Sequence, residues 1–139
     1  MKITICGSIT NAKKIYDIEQ QLIDKGHKVF SHELMHKYAQ DDEEVKRYVQ
    51  QDHAKLKQES DTFRWYYQAI KDSDAIVVCN YEKNNIPGYI GGSVLMEIGY
   101  AHCNNKKIFF MNPIPEVSFK DELIAVNPQI INNDLSQIK

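Results

Sequence analysis

Five consecutive apolar residues, Ala75-Ile76-Val77-Val78-Cys79, constrain this chain more than any other feature. An antiparallel strand with one face in water alternates apolar and polar residues. An unbroken run behind an acidic residue, Asp74, is the pattern of a central parallel strand buried on both faces. The flanking segments supply further strands and helices in alternation. Residues 1–6 read as a β-rich strand, Gly7-Ser8 breaks it, and Ile15, Ile18, Leu22 and Ile23 follow at helical spacing until Gly26. Residues 27–31, with Val29 and Phe30, complete a β-α-β signal. Residues 41–72 lack proline and glycine and carry Val45, Tyr48, Val49, Leu56, Phe63, Tyr67 and Ile70 on one helical face, as one long helix or two consecutive ones. A glycine- and asparagine-rich loop over 80–92 leads into helical spacing over 93–102. A strand over 107–111, a short helix over 119–126 and a last strand over 129–131 close the pattern. Such alternation predicts a three-layer α/β domain with a mostly parallel, five-stranded sheet. Its ligand site is expected beyond the carboxyl ends of the strands, in the loops after Cys6, Ser31 and Cys79.

A length of 139 residues suits one domain, and 42% hydrophobic against 26% charged residues is enough apolar material for a packed core. Seventeen basic and 19 acidic residues leave a net charge of -2, without the basic surface that a nucleic-acid polymer requires. Cys6, Cys79 and Cys103 are odd in number and lack C-x-x-C spacing, so neither a disulfide framework nor a cysteine zinc site is expected, and a reducing, cytoplasmic setting fits. No apolar run reaches the length that crosses a bilayer, and the first strand is too short for a signal-peptide core, so no membrane partner is expected.

Two segments can carry chemistry. The first is Gly91-Gly92-Ser93-Val94-Leu95-Met96-Glu97, where a glycine pair opens a helix whose amides and dipole favour an anion. Val94, Leu95, Met96 and Ile98 predict a helix packed on both flanks, which makes Glu97 the exception to explain. Ser93 lies one turn earlier on the same face. With an ordinary carboxylate pKa, Glu97 is ionised at neutral pH and able to attack an electrophilic carbon such as a glycosyl carbon. The plainer alternative is a partly exposed glutamate bonded to a nearby N–H. The second segment is Cys6-Gly7-Ser8-Ile9, an anion or ribose site or else a simple strand-to-helix turn. The absence of G-x-G-x-x-G and of G-x-x-x-x-G-K-[ST] disfavours NAD and ATP chemistry.

Taken together, Cys6-Gly7-Ser8-Ile9, the strand led by Asp74, and Met96-Glu97-Ile98-Gly99-Tyr100-Ala101 followed by Lys106-Lys107-Ile108 resemble the nucleoside 2-deoxyribosyltransferase superfamily, which includes deoxynucleoside 5'-monophosphate N-glycosidases. The resemblance covers most of the chain, least over the charged stretch near residues 41–60. It implies a flavodoxin-like fold and cleavage or exchange of an N-glycosidic bond, with Glu97 as the nucleophile that forms a glycosyl ester. It also implies a small nucleoside or nucleotide as substrate, no cofactor and no metal, and assembly into a homodimer or larger oligomer. Gly7, Ser8, Ile9, Gly91, Gly92 and Ser93 are then the sugar- or phosphate-binding positions, with Asp74 and Asn80 in support. Two positions depart from the family pattern. Gly91 stands where transferases carry aspartate and the monophosphate hydrolases carry serine, and Tyr66 stands where the family has an aspartate that handles the base. These departures keep open a second reading, a nucleotide-binding sensor without turnover. Leaving-group protonation falls to Asp74, Glu33 or His32 among the titratable residues near strand ends.

A third reading comes from His32-Glu33-Leu34-Met35-His36, which satisfies H-E-x-x-H. On a helix such a pair can bind zinc, but this segment follows directly on a strand, where a loop is expected, and no third ligand is evident. The cluster Trp65-Tyr66-Tyr67 reads mainly as core, with Tyr66 and Tyr89 as candidate base contacts.

Overall fold

The computed structural model describes residues 1–139. The strands are β1 (Lys2–Gly7), β2 (Lys28–Phe30), β3 (Ala75–Cys79), β4 (Lys107–Phe110) and β5 (Gln129–Ile130). They form one sheet in the order β2-β1-β3-β4-β5, and every pairing is parallel. This is the doubly wound order of flavodoxin-like folds. The helices are α1 (Ala12–Asp24), α2 (Glu33–Ala39), α3 (Glu43–Glu59), α4 (Thr62–Lys71), α5 (Gly92–Cys103) and α6 (Lys120–Ala125). None is long and apolar enough to cross a membrane.

The apolar run predicted to be central is β3, and all five of its residues are buried. Its side chains alternate between two cores. Ala75, Val77 and Cys79 join Ile3 and Ile5 of β1 and Ile15 and Leu22 of α1 on one face. Ile76 and Val78 join Cys6 of β1 with Tyr66 and Ile70 of α4 and Val94, Ile98 and Ala101 of α5 on the other. The period-two rule therefore sends Cys6 toward α5, the helix that bears Glu97.

Two local expectations change, and the 41–72 stretch takes the second of its two expected forms. Residues 33–39 form a helix, α2, where a loop was expected, because His32 caps it by accepting the Leu34 N–H at Nδ1 (3.1 Å). The long helical stretch divides into α3 and α4, and Asp52 within α3 leaves helical geometry (φ -154°, ψ 66°). On α4 the core face is Tyr66, Ala69 and Ile70, whereas Tyr67 is 42% exposed. Ile70 is inward as expected, while Tyr66 takes the inward place read for Tyr67.

Two glycines respond oppositely to a methyl group. A Cβ on Gly7 meets Ile15 Cδ1 at 2.7 Å and the Cys79 carbonyl at 3.2 Å, so β1 turns into the next segment against packed neighbours. A Cβ on Gly99, inside α5, meets nothing within 4 Å. Urea denaturation of Gly7→Ala is expected to show a loss of about 1–3 kcal/mol from overpacking. Gly99→Ala is expected to gain about 0.5–1 kcal/mol from helix propensity. Equal signs for the two would contradict this packing.

Candidate active site

The strand order reverses between β1 and β3, and the crevice there opens into a cavity of about 300 Å³, enough for one small ligand. Gly7, Ser8 and Ile9 line it from the turn after β1. Asn80, Tyr81, Lys83 and Tyr89 line it from the loop after β3, and Gly91, Gly92, Ser93 and Glu97 from the start of α5. The two turns singled out in the sequence therefore meet. Gly91 is the extended N-cap of α5 and no side chain caps that helix, so the first-turn amides remain free.

Glu97 lines this cavity yet is only 4% exposed. Burial is the main influence on its carboxyl and pushes its pKa up to about 8, against the opposing pull of the Cys6 thiol, which donates to it, and of the Lys57 ammonium. This corrects the expectation of an ionised carboxylate: in the ligand-free protein Glu97 is mainly protonated at pH 7. Burial and Glu97 together raise the Cys6 thiol well above its ordinary value, so Cys6 serves as a neutral donor. Helix α5 is packed on one flank only, because Met96 is 44% exposed while Val94 and Ile98 are buried. The inward flank carries Glu97.

Two predicted residues have other duties. Asp74 lies at the opposite, amino-terminal edge of the sheet, exposed, where its Oδ2 accepts the Lys2 N–H at 2.7 Å. The register pairs Ala75 with Ile3 at that edge and Gly7 with Cys79 at the carboxyl edge, so Asp74 is a whole strand length from the cavity. It cannot act on a substrate there. Asn80 borders the cavity, but its amide is consumed. Nδ2 donates to the carbonyls of Asn112 (2.9 Å), Gly88 (3.3 Å) and Pro113 (3.3 Å), and Oδ1 accepts the Asn112 N–H (2.9 Å). Asn80 thus ties the ends of β3 and β4 together and holds the loop. Gly88, with φ +68° and the Pro113 carbonyl 2.5 Å from where a Cβ would stand, lets the loop pass.

Tyr66 and Tyr89 both line the cavity, as does His32. His32 is packed edge-on against Trp65 (4.8 Å between centroids) and near-parallel to Tyr66 (6.1 Å). Burial lowers its pKa, and the bond from Leu34 N–H to Nδ1 leaves the proton on Nε2, so the ring is a neutral N–H donor. Glu33 is exposed outside the cavity. His36 takes a different partner, Glu19 Oε2 at 2.8 Å, and no third His, Cys, Asp or Glu joins the histidine pair. H-E-x-x-H is here a capping and hydrogen-bonding motif.

Sequence reading missed three basic residues of the site, His53 and Lys57 of α3 and Lys83 of the 80–91 loop. Lys57 Nζ donates to Ser93 Oγ (2.5 Å) and Lys83 Nζ to Ser8 Oγ (3.2 Å). Nothing in their local spacing marks them, because they belong to the charged stretch and the irregular loop and reach the site only through tertiary packing.

The raised pKa has a consequence for stability. The folded chain holds the Glu97 proton until about pH 8, whereas an unfolded chain releases it near 4.5. Between those values the folded state binds more protons, so this contribution is complete below about 4.5 and is lost as pH rises through about 8. Glu97→Gln removes that slope. Its Tm relative to wild type is expected to rise from pH 5 to pH 8.5 by several degrees in calorimetry, and a pH-independent difference would show a normally titrating carboxyl.

No protein-family model matches this chain, and no curated protein or solved structure matches it.

Proposed function

We propose that this protein cleaves or exchanges the N-glycosidic bond of a nucleoside or nucleoside 5'-monophosphate, in the manner of the nucleoside 2-deoxyribosyltransferase superfamily, with Glu97 as covalent nucleophile. The observation that carries this reading is a buried carboxyl facing the switch-point cavity, under the influence of the Cys6 thiol and with no bonded cation to neutralise it. A purely structural glutamate gains nothing from that position, since burial without an ion pair is costly.

In the proposed reaction the ionised Glu97 oxygen attacks C1' of the sugar. The C1'–N bond breaks, its electron pair leaves with the base, and the base takes a proton from solvent water, which the later hydrolysis of the ester returns. Water then hydrolyses the glycosyl ester, or a second base displaces it. His32 Nε2–H is suited to hydrogen-bond the departing base, and Tyr66 and Tyr89 offer rings beside it. Tyr66 does not replace the family's aspartate as an acid, because burial and Glu97 raise its hydroxyl well above the ordinary value. The same resemblance carries assembly into a homodimer or larger oligomer.

The sensor reading draws on Gly91 and Tyr66. Gly91 is open to repair, since a Cβ there makes only ordinary contact with the Tyr89 ring (3.5 Å) and its φ of -91° suits any residue. Gly91→Ser is expected to fold with unchanged Tm to within about 0.5 kcal/mol of stability.

Free-base release from a panel of ribo- and deoxyribonucleosides and their 5'-monophosphates, with and without an acceptor base, tests the reading directly. Wild type is expected to release or exchange base, and Glu97→Ala to lose at least about a thousandfold in kcat. Because the nucleophile must be ionised, kcat/KM is expected to rise about tenfold per pH unit below about 8 and to level off above it. Tight binding of a panel member with no turnover at any pH would replace this reading with the sensor.

A further inference from the structure

The ion pairs of this protein lie outside the cavity, and its two lysines take part in none. Lys13 and Lys46 bind Asp41, Lys55 faces Glu59, Arg64 faces Asp61 and Lys120 faces Glu116. Lys57 and Lys83 have no carboxylate within ion-pair distance. Each donates instead to one hydroxyl that lines the cavity, Ser93 at the entrance of α5 and Ser8 at the turn after β1. Each also lies beside an aromatic ring, Phe63 at 5.9 Å and Tyr89 at 5.8 Å. The two ammonium groups are close enough to repel, and both act on His53: burial and Lys83 lower the Lys57 pKa against an upward pull from Glu97, and burial, Lys57 and Lys83 lower that of His53. The carboxyl that could offset them, Glu97, is mainly neutral at pH 7.

Like charges gathered around a partly desolvated space cost free energy unless an anion occupies it. One lysine comes from α3 and the other from the 80–91 loop. Both point their donors at the same two turns whose backbone amides and hydroxyls converge on the cavity. Two ammonium groups, two hydroxyls and the free first-turn amides of α5 suit a group with at least two negative charges and several acceptor oxygens.

We propose that Lys57 and Lys83 form a phosphate clamp across the two turns, so that the ligand of this site is a nucleoside 5'-phosphate and not an uncharged nucleoside. The inference rests on the N-glycosidase reading only for the identity of the group attached to the phosphate. An uncharged nucleoside leaves the two charges unpaired. A 5'-phosphate satisfies both while its own sugar is held in the cavity that Glu97 lines.

The test separates binding from chemistry. Affinities for inorganic phosphate, the four 2'-deoxynucleoside 5'-monophosphates and the four parent nucleosides are measured by calorimetry on the Glu97→Gln chain, with and without Lys57→Met and Lys83→Met. Base release is measured on wild type and on the double lysine variant. At least one monophosphate is expected to bind about tenfold or more tightly than its nucleoside, with an advantage that shrinks as salt rises and falls to within about threefold in the double variant. Circular dichroism of the lysine variants establishes that they are folded. Lysine-dependent phosphate preference without base release in wild type would leave the clamp standing and overturn the glycosidase reading. Base release from nucleosides as fast as from monophosphates, in wild type and double variant alike, would overturn the clamp and leave the glycosidase standing. Absence of binding by both ligand classes at millimolar concentration would also overturn the clamp.

Discussion

Two-sided burial of β3 is the constraint on which the rest of the molecule depends. A strand that is apolar on both faces needs a layer of helices above and below, and parallel neighbours supply the connections that place them. With β1 and β4 as its neighbours, β3 begins the half of the sheet that extends away from β2, so the chain turns outward in opposite senses after β1 and after β3. The crevice between those turns follows from the strand order. Ser8 and the 80–91 loop are brought together by that order and share no sequence motif.

Period-two alternation then fixes what stands in the crevice. Since Ile3 and Ile5 face α1, Thr4 and Cys6 face the other layer. Thr4 settles there by bonding the Ser73 hydroxyl, which in turn donates to the Ala69 carbonyl, both at 2.8 Å. Cys6, one pleat further on, meets the carboxyl of Glu97. Neutral hydrogen-bond partners on the polar atoms of this layer let β1 remain buried, and Glu97 is its carboxyl that opens onto the cavity.

The sequence revealed the layers because apolar periodicity and glycine punctuation are local signals, and β3, the helix of Glu97 and the turn at Gly7-Ser8 are all written that way. It placed Glu97 and Ser93 on one face because they are a helical turn apart. It misassigned Asp74 although chain direction was legible, because a residue that leads a parallel strand stands at the edge opposite the carboxyl ends where the ligand binds. It could not find Lys57, Lys83 or His53, whose presence at the site depends on how α3 folds back after its break at Asp52 and on how Asn80 pins the loop. It took Asn80 as a ligand contact because the type and place were right, whereas the accounting of the Asn112, Gly88 and Pro113 bonds is visible only in three dimensions. Residues that touch the reacting atoms were therefore more legible than those that set charge.

Charge decides how such a site works in the proposed reaction. A buried carboxyl with a pKa near 8 is a poor resting nucleophile, because only a minority is ionised at neutral pH. The same burial that suppresses ionisation makes the ionised form a stronger partner for positive charge when that charge develops beside it. Cleavage of an N-glycosidic bond develops positive charge on the sugar as the base departs, next to Glu97 and away from the lysines if these hold the 5'-phosphate. Cys6 donates to the carboxylate without neutralising it, and Lys57 assists its ionisation while bonded to Ser93 instead. An ion pair placed directly on Glu97 would have lowered its pKa and also spent its negative charge before the transition state. Holding the cations one turn away, on hydroxyls that a phosphate can engage, leaves that charge available to the reacting carbon.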